Sequence, residues 1–167
     1  MFLTSRTRGG PAHAAIVASS LFGTMSGSTV ANVVGTGTFT IPLTKERGFK
    51  PEFAGGIEAT ASSGGQIVPP IMGAAAFLMA ELTEISYLTI AIAAFVPAFL
   101  YYLSLFISVV IEAKKSKIDV DQSRTFSVTR QTMLDAMMFV APIVVIVTVL
   151  VMGRSAPNAG FFGIITA

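Results

Sequence analysis

The sequence predicts an all-α integral membrane protein, because it is apolar over most of its length and its charges fall in short clusters between apolar runs. Hydrophobic residues make up 53% of the chain and charged residues 12%, whereas ordinary soluble domains are about 25% charged. The mean hydropathy is +0.74. The apolar runs predict one re-entrant helical hairpin, one discontinuous transmembrane helix and two further spans.

The composition also excludes several kinds of chemistry. The chain has no cysteine and a single histidine, His13, so a thiolate nucleophile and a histidine-based metal cluster are both excluded. The sequence from Gly23 to Gly27 lacks the Gly-x-Ser-x-Gly spacing of a serine hydrolase, and His13 precedes every span, so we do not expect an enzyme. The net charge of +2 indicates membrane orientation rather than a nucleic-acid partner.

Residues 14–42 consist of two short apolar arms around a centre rich in small and hydroxyl residues. This segment is too long and too interrupted for one clean spanning helix and too short for two. We therefore expect a re-entrant hairpin, whose small tip residues let the two backbones approach closely. Residues 1–13, which include Arg6 and Arg8, are expected to form a cytoplasmic N-terminal segment.

Residues 52–81 are expected to form a transmembrane helix that is broken at 62–70. Pro69 and Pro70 lack backbone donors and clash with carbonyls one turn back, so a helix cannot continue through them. Unpaired backbone groups cost several kcal/mol in hydrocarbon, so the break is expected to line a protein-walled or wet cavity.

The remaining segments follow from apolar length and from the distribution of Lys and Arg. Basic loops lie on the cytoplasmic side and the acidic stretch at 81–84 lies outside. The expected order is a cytoplasmic loop at 43–51, a transmembrane helix at 85–111, a cytoplasmic loop at 112–132, a transmembrane helix at 133–152, and an outer loop with the start of a truncated helix at 153–167.

The hairpin tip and the helix break are expected to lie at the same depth and to share one site. Carbonyls released from helical bonding, together with hydroxyl and amide oxygens such as those of Asn32 and Gln66, suit a desolvated Na⁺. Half-helix N-termini at the same breaks suit a substrate carboxylate. The substrate-binding residues predicted in this way are Ser28, Thr29, Ser62, Ser63 and Gln66.

Glu58 lies within the first half of the broken span. An ionised carboxylate at the centre of a transmembrane helix costs roughly 2.5–3.5 kcal/mol, so such residues are candidates for function. The interpretation we favour is instead that Glu58 lies near the cytoplasmic end, where it is hydrated or paired with Lys45 or Lys50.

Several stretches in order resemble the large permease subunit of TRAP transporters (tripartite ATP-independent periplasmic transporters): Ser26–Val33, Thr40–Leu43 with Gly48–Gly55, and Ser63–Phe77. The details at Gln66 and Met72–Phe77 resemble the TAXI-type branch with a fused permease. The resemblance covers roughly residues 9–115.

This resemblance implies an elevator-type transporter repeat in a bacterial or archaeal inner membrane, with Na⁺ as coupling ion, no other cofactor and an organic-acid substrate. It implies three protein partners: a periplasmic solute-binding protein, a small membrane subunit or its fused equivalent, and the remaining half of the permease. The Na⁺-binding residues carried over from the family are Ser26, Ser28, Gly64, Gly65, Val68 and Pro69, to which the residue pattern adds Asn32.

Family permeases contain two repeats, and this chain corresponds to about one, so we expect a fragment of a longer protein. The alternative function is an uncoupled channel-like or structural membrane subunit. A channel predicts a polar stripe along a continuous helix, and the spans at 85–111 and 133–152 have none.

Overall fold

The computed structural model describes residues 9–118, 130–152 and 161. Expectations that fall on residues 1–8, 119–129, 153–160 and 162–167 lie outside the described residues. Within the described residues the chain forms helices joined by turns, which confirms the all-α prediction there. The helices are α1 (Gly10–Ser26), α2 (Thr29–Glu46), α3 (Pro51–Gly64), α4 (Ala74–Thr83), α5 (Tyr87–Lys115) and α6 (Arg130–Val151).

Helices α1 and α2 are antiparallel and are joined by two residues, Gly27 and Ser28. Gly27 ends α1 with a left-handed backbone conformation, φ 57°, which glycine adopts without steric cost. The Ser28 side chain accepts a hydrogen bond from the backbone N–H of Ala31 and so caps α2. The helices extend beyond the predicted arms at 14–42, to Gly10 at one end and Glu46 at the other.

Helices α3 and α4 are separated by a non-helical segment, residues 65–73. Pro51 opens α3 in its first turn, where a missing N–H costs nothing. The helix then runs through Ser62 and Ser63 to Gly64, so the unwound segment begins three residues later than the predicted 62–70. The chain becomes helical again at Ala74, after the two prolines.

Helix α5 is the longest element, and its exposed side chains are largely apolar. It is long and apolar enough to cross a membrane, and it is the single helix among the described residues that meets both conditions. Exposed large apolar residues along it include Ile92, Phe95, Phe99, Ile107 and Ile111. Shorter apolar helical stretches are Ala74–Thr83 and Ala141–Val151.

The interior lies where α1, α2 and α3 pack together and where α5 covers α1 and α3. One apolar cluster joins Ile16 of α1, Ile57 of α3 and Val109 of α5. A smaller cluster joins Met72, just before α4, with Ala76 and Ala91. The three-helix unit α1–α3 therefore holds the hairpin tip against the interrupted stretch between α3 and α4.

Candidate functional site

The tip of the α1–α2 hairpin touches the unwound segment at Gly27. A methyl group built on Gly27 would lie 1.9 Å from the carbonyl oxygen of Met72, which is closer than any two such atoms can approach. The backbone N–H of Gly27 bonds the carbonyl of Gly23, 3.0 Å away. The hairpin tip and the unwound segment therefore meet in space, and a glycine is required at their contact.

A second backbone contact lies one turn deeper, between Gly23 of α1 and Gly65 at the start of the unwound segment. A methyl group on Gly23 would lie 2.6 Å from the Cα of Gly65. Asn32 is fully buried beside this contact, and its amide donates to the Ser19 carbonyl at 2.8 Å. Its amide nitrogen thus fastens α2 to α1.

The unwound segment uses some of its carbonyls in turns and leaves others free. The N–H groups of Gly65, Gln66 and Ile67 bond the carbonyls of residues 62, 63 and 64, and the N–H of Gly73 bonds that of Gln66. Within the described residues, the carbonyl oxygens of Gly65, Val68 and Pro69 accept no backbone hydrogen bond. Carbonyl oxygens of this kind are suitable ligands for a hard cation.

Two helix N-termini converge at the same place. Gly73, which precedes α4, lies against the hairpin tip: a methyl group on it would be 3.3 Å from the carbonyl oxygen of Gly27. Gly73 supplies no side-chain cap to α4, and α2 begins two residues after Gly27. N–H groups at helix N-termini favour a negatively charged group.

The predicted substrate-binding residues separate into two groups. Gln66 donates from its side-chain amide to the Thr29 hydroxyl at 2.9 Å and so bridges the unwound segment and α2. Ser28 and Ser63 are exposed. Ser62 is fully buried, and its hydroxyl faces Glu58 at 3.3 Å, so it belongs to the interior of the three-helix unit.

Residues 2–167 match the family described as Tripartite ATP-independent periplasmic transporter, DctM component. The chain belongs to the DctM family. It is 34% identical over 107 residues to a protein of Vibrio cholerae named C4-dicarboxylate TRAP transporter large permease protein DctM, over 64% of this chain and 23% of that protein. It is 35% identical over 97 residues to the Sialic acid TRAP transporter permease protein SiaT of Haemophilus influenzae, over 58% of this chain and 15% of that protein. No solved structure matches the chain.

The matched segments cover between 15% and 26% of the curated relatives, so the chain corresponds to a small part of a DctM-type permease. The resemblance to the large permease subunit of TRAP transporters is confirmed. The assignment to the TAXI-type branch stays a prediction.

The interpretation of Glu58 in this DctM-family chain was wrong. Its side chain is 1% exposed, so it is not hydrated, and the hydrogen bonds to its carboxylate come from hydroxyl groups rather than from lysines. The sequence did not predict this cluster, because the depth of Glu58 in the membrane was inferred from its short distance along the chain to the cytoplasmic end of the span. The available signal was the four-residue spacing of Thr36 with Thr40 and of Glu58 with Ser62, which puts each pair on one helix face. The hydroxyl donors are Ser19, Thr36, Thr40 and Ser62.

Tyrosine hydroxyls at the ends of the unwound segment were also missed. Tyr101 and Tyr102 of α5 donate to the carbonyls of Thr60 and Ala61, both at 2.7 Å. Tyr87 donates to the carbonyls of Pro70, at 3.0 Å, and Ile71. These side chains supply donors to backbone groups at and near the interruption.

Within the part of this DctM-family chain that the structure describes, largely apolar cavities border the unwound segment. One, of about 340 Å³, is lined by residues that include Val68 and Pro69 of the unwound segment and Ser20 and Thr24 of α1. The second, of about 320 Å³, lies between α5 and α6 and also touches Pro69. The unwound segment is therefore accessible from the face that carries Val68 and Pro69.

Proposed function

We propose that this chain is part of the permease of a secondary transporter that takes up organic acids, as carboxylates, coupled to Na⁺. The observation that carries the proposal is the backbone contact between the hairpin tip at Gly27 and the unwound segment at Met72. Paired breaks inside a membrane are where transporters bind substrate and coupling ion.

The proposed Na⁺ ligands lie along this contact. The free carbonyls of Gly65, Val68 and Pro69 face no competing N–H within the described residues. Hydroxyl oxygens of the hairpin tip complete the set at Ser26 and Ser28, as the family resemblance implies. Asn32 is already engaged with Ser19, so we assign it to holding the hairpin together rather than to the ion.

The proposed substrate carboxylate binds at the converging N-termini of α2 and α4. Ser28, Thr29 and Gln66 lie at the start of α2 and across from it, and Ser63 is exposed nearby on α3. Close placement of an anion and a cation lowers the cost of removing both from water. One net charge crossing a potential of about 100 mV contributes about 2.3 kcal/mol, which corresponds to about 50-fold accumulation for each Na⁺ in excess of the negative charges on the substrate.

The remaining parts of the proposal come from the resemblance. The hairpin is re-entrant, and the unit is one repeat of an elevator-type permease in a bacterial or archaeal inner membrane. A periplasmic solute-binding protein delivers the substrate. A small membrane subunit, or its fused equivalent, and the rest of the permease complete the transporter.

The test is uptake of a labelled organic acid into proteoliposomes that contain the full-length protein and its binding protein. We expect accumulation with an inward Na⁺ gradient and none when K⁺ replaces Na⁺. Ser28→Ala should raise the Na⁺ concentration needed for half-maximal uptake, because it removes a hydroxyl ligand and the α2 cap.

Two matched variants serve as controls. Ser28→Thr keeps a hydroxyl and should retain most of the Na⁺ response. Ser116→Ala, at the exposed end of α5, should behave as the unmodified protein. Uptake that does not depend on Na⁺ and only equilibrates the labelled acid across the membrane would contradict coupling and favour the uncoupled channel-like subunit.

A further inference from the structure

We infer that residues 45–50 and 114–117 together bind the headgroup of an anionic phospholipid. These two segments form the basic surface of the molecule. The inference rests on their charge, on the packing that brings them together and on the apolar face of α5 that leads to them. It depends on the placement of this permease in a membrane, and it holds whether or not transport is coupled to Na⁺.

The basic surface concentrates the positive charge of the chain. Six of the eleven Lys and Arg lie in its two segments, and residues 51–113 between them contain neither. Residues 119–130 add two carboxylates and two arginines to the sequence, which leaves the balance of charge unchanged. Three carboxylates lie within or beside the basic surface, so positive charge is in excess there. They are Glu46, Glu52 and Glu112.

Packing brings the two segments together although they are far apart in the sequence. Phe49, in the first segment, is buried and belongs to one apolar cluster with Val109 and Ala113 of α5. Ile118, which follows the second segment, packs against the same cluster. A methyl group on Gly48 would lie 4.0 Å from the Cγ1 of Ile118. The lysines that flank these apolar residues therefore share one end of the molecule.

The end of α5 turns its apolar residue inward and leaves its lysines outside. The N–H of Ile118 bonds the carbonyl of Ala113 at 3.0 Å, and the N–H of Lys117 bonds that of Lys114 at 3.3 Å, which is the Schellman arrangement. Lys117 has the left-handed φ of 51° that this turn requires, at a position that glycine usually occupies. Lys114, Lys115 and Lys117 are all exposed.

Helix dipoles account for only some of these charges. A dipole favours cations at a helix C-terminus, as at Lys45 of α2 and at Lys114 and Lys115 of α5. Lys50 instead precedes the first residue of α3, where the same dipole disfavours a cation. None of the five lysines of the basic surface forms an ion pair within the described residues. A negative partner for Lys50 therefore has to come from elsewhere.

An apolar face of α5 leads directly to the basic surface. Its large side chains are between 43% and 60% exposed, and their spacing of three or four residues places them on one side of the helix with Lys114. They are Leu100, Leu103, Ile107 and Ile111. The face is about 16 Å long, at about 1.5 Å per residue, which is close to half of a hydrocarbon core of about 30 Å. An acyl chain that lies along it brings its headgroup to the lysines.

The ligand that fits both features has an acyl chain and a net negative charge. The chain covers the apolar face, and the phosphate accepts hydrogen bonds from the lysine ammonium groups. The attraction of an anionic lipid surface corresponds to about fivefold in affinity for each lysine. A zwitterionic phospholipid has the same phosphate and chains without the net charge. The basic surface therefore distinguishes phosphatidylglycerol from phosphatidylcholine.

The test is fluorescence quenching in the full-length protein, with a fluorophore on Ser116→Cys in a background without other cysteines. Ser116 is exposed between Lys115 and Lys117. The vesicles are phosphatidylcholine with a small fraction of phospholipid that carries a nitroxide on the acyl chain next to the headgroup. At equal mole fraction, nitroxide phosphatidylglycerol should quench several-fold more effectively than nitroxide phosphatidylcholine.

Matched variants identify the lysines as the source of this preference. Lys114→Gln combined with Lys117→Gln should lower the preference at least about fivefold, whereas Lys114→Arg combined with Lys117→Arg should retain it. The same fluorophore on Glu81→Cys, in the exposed end of α4, should show no preference for phosphatidylglycerol. Inorganic phosphate, compared with sodium chloride at the same ionic strength, should leave the preference unchanged.

Several results would overturn the inference. They are equal quenching by the two lipids at Ser116→Cys, the same preference at Glu81→Cys, a preference that survives the glutamine substitutions, and its loss in inorganic phosphate alone. Absence of quenching by either lipid would also overturn it, because another part of the permease would then cover this face. The measurement needs no transport activity, so its failure is distinguishable from failure of the Na⁺ proposal.

Discussion

Gly27 combines two constraints that only glycine satisfies together. Its φ of 57° is left-handed, and a side chain on it would meet the Met72 carbonyl. Residues other than glycine pay roughly 1–2 kcal/mol for the left-handed conformation alone. The residue is therefore fixed both by the turn that it makes and by the segment that it touches.

Gly27→Ala should lower the stability of the permease by more than that strain, since the hairpin tip must also move away from Met72. The measurement is thermal unfolding of the purified protein in detergent. Gly56→Ala is the matched control: Gly56 lies within α3 with open space around it, and alanine there should stabilise the helix by up to about 1 kcal/mol. Equal effects of the two substitutions would contradict the contact.

The interruption between α3 and α4 is an element whose backbone needs outside partners. Tyr87, Tyr101 and Tyr102 each direct a hydroxyl at carbonyls beside it. Since an unpaired carbonyl in an apolar setting is costly, α5 acts as a support for the interruption.

Tyr87→Phe should destabilise the protein by about 1 kcal/mol or more, because the one hydroxyl donor that the carbonyls of Pro70 and Ile71 share is lost. Tyr101→Phe should cost less, because its hydrogen bond is exposed. Chemical unfolding of both variants under the same conditions provides the comparison. A larger loss for Tyr101→Phe would show that the interruption does not depend on Tyr87.

The two helix interruptions at this site could be predicted from neighbouring residues in the sequence. The contacts between residues far apart in the chain could not. A Ser-Gly-Ser turn and a Pro-Pro pair interrupt helices wherever they occur, so the tip and the break could be read from a few residues. The contact between Gly23 and Gly65 joins residues far apart in sequence, and no local pattern encodes it. Glu58 was misplaced for the same reason, because its hydroxyl partners come mostly from helices earlier in the chain.

At the scale of the whole molecule, the distribution of charge predicts orientation. The last turn of α2 and the turn that follows it carry Lys45, Arg47 and Lys50, whereas the turn after α4 carries Glu84. Cytoplasmic loops carry an excess of Lys and Arg. We therefore expect α3 and α4 together to carry the chain outward and α5 to return it.

Single cysteines can test this orientation, since the chain has none of its own. Glu81→Cys, in the exposed end of α4, should react with a membrane-impermeant maleimide on intact cells. Lys50→Cys and Ser116→Cys should react only after permeabilisation; all three positions are exposed. Labelling of Lys50→Cys in intact cells would reverse the assigned direction.

The hydroxyl groups that donate to Glu58 also have a consequence for the synthesis of the protein on the ribosome. Ser19, Thr36 and Thr40 all precede Glu58 in the chain, and synthesis proceeds from the N-terminus. When α3 leaves the ribosome, the groups that solvate its carboxylate have already been translated. The order of elements thus makes the hydroxyl groups of α1 and α2 available before the acidic helix that packs against them.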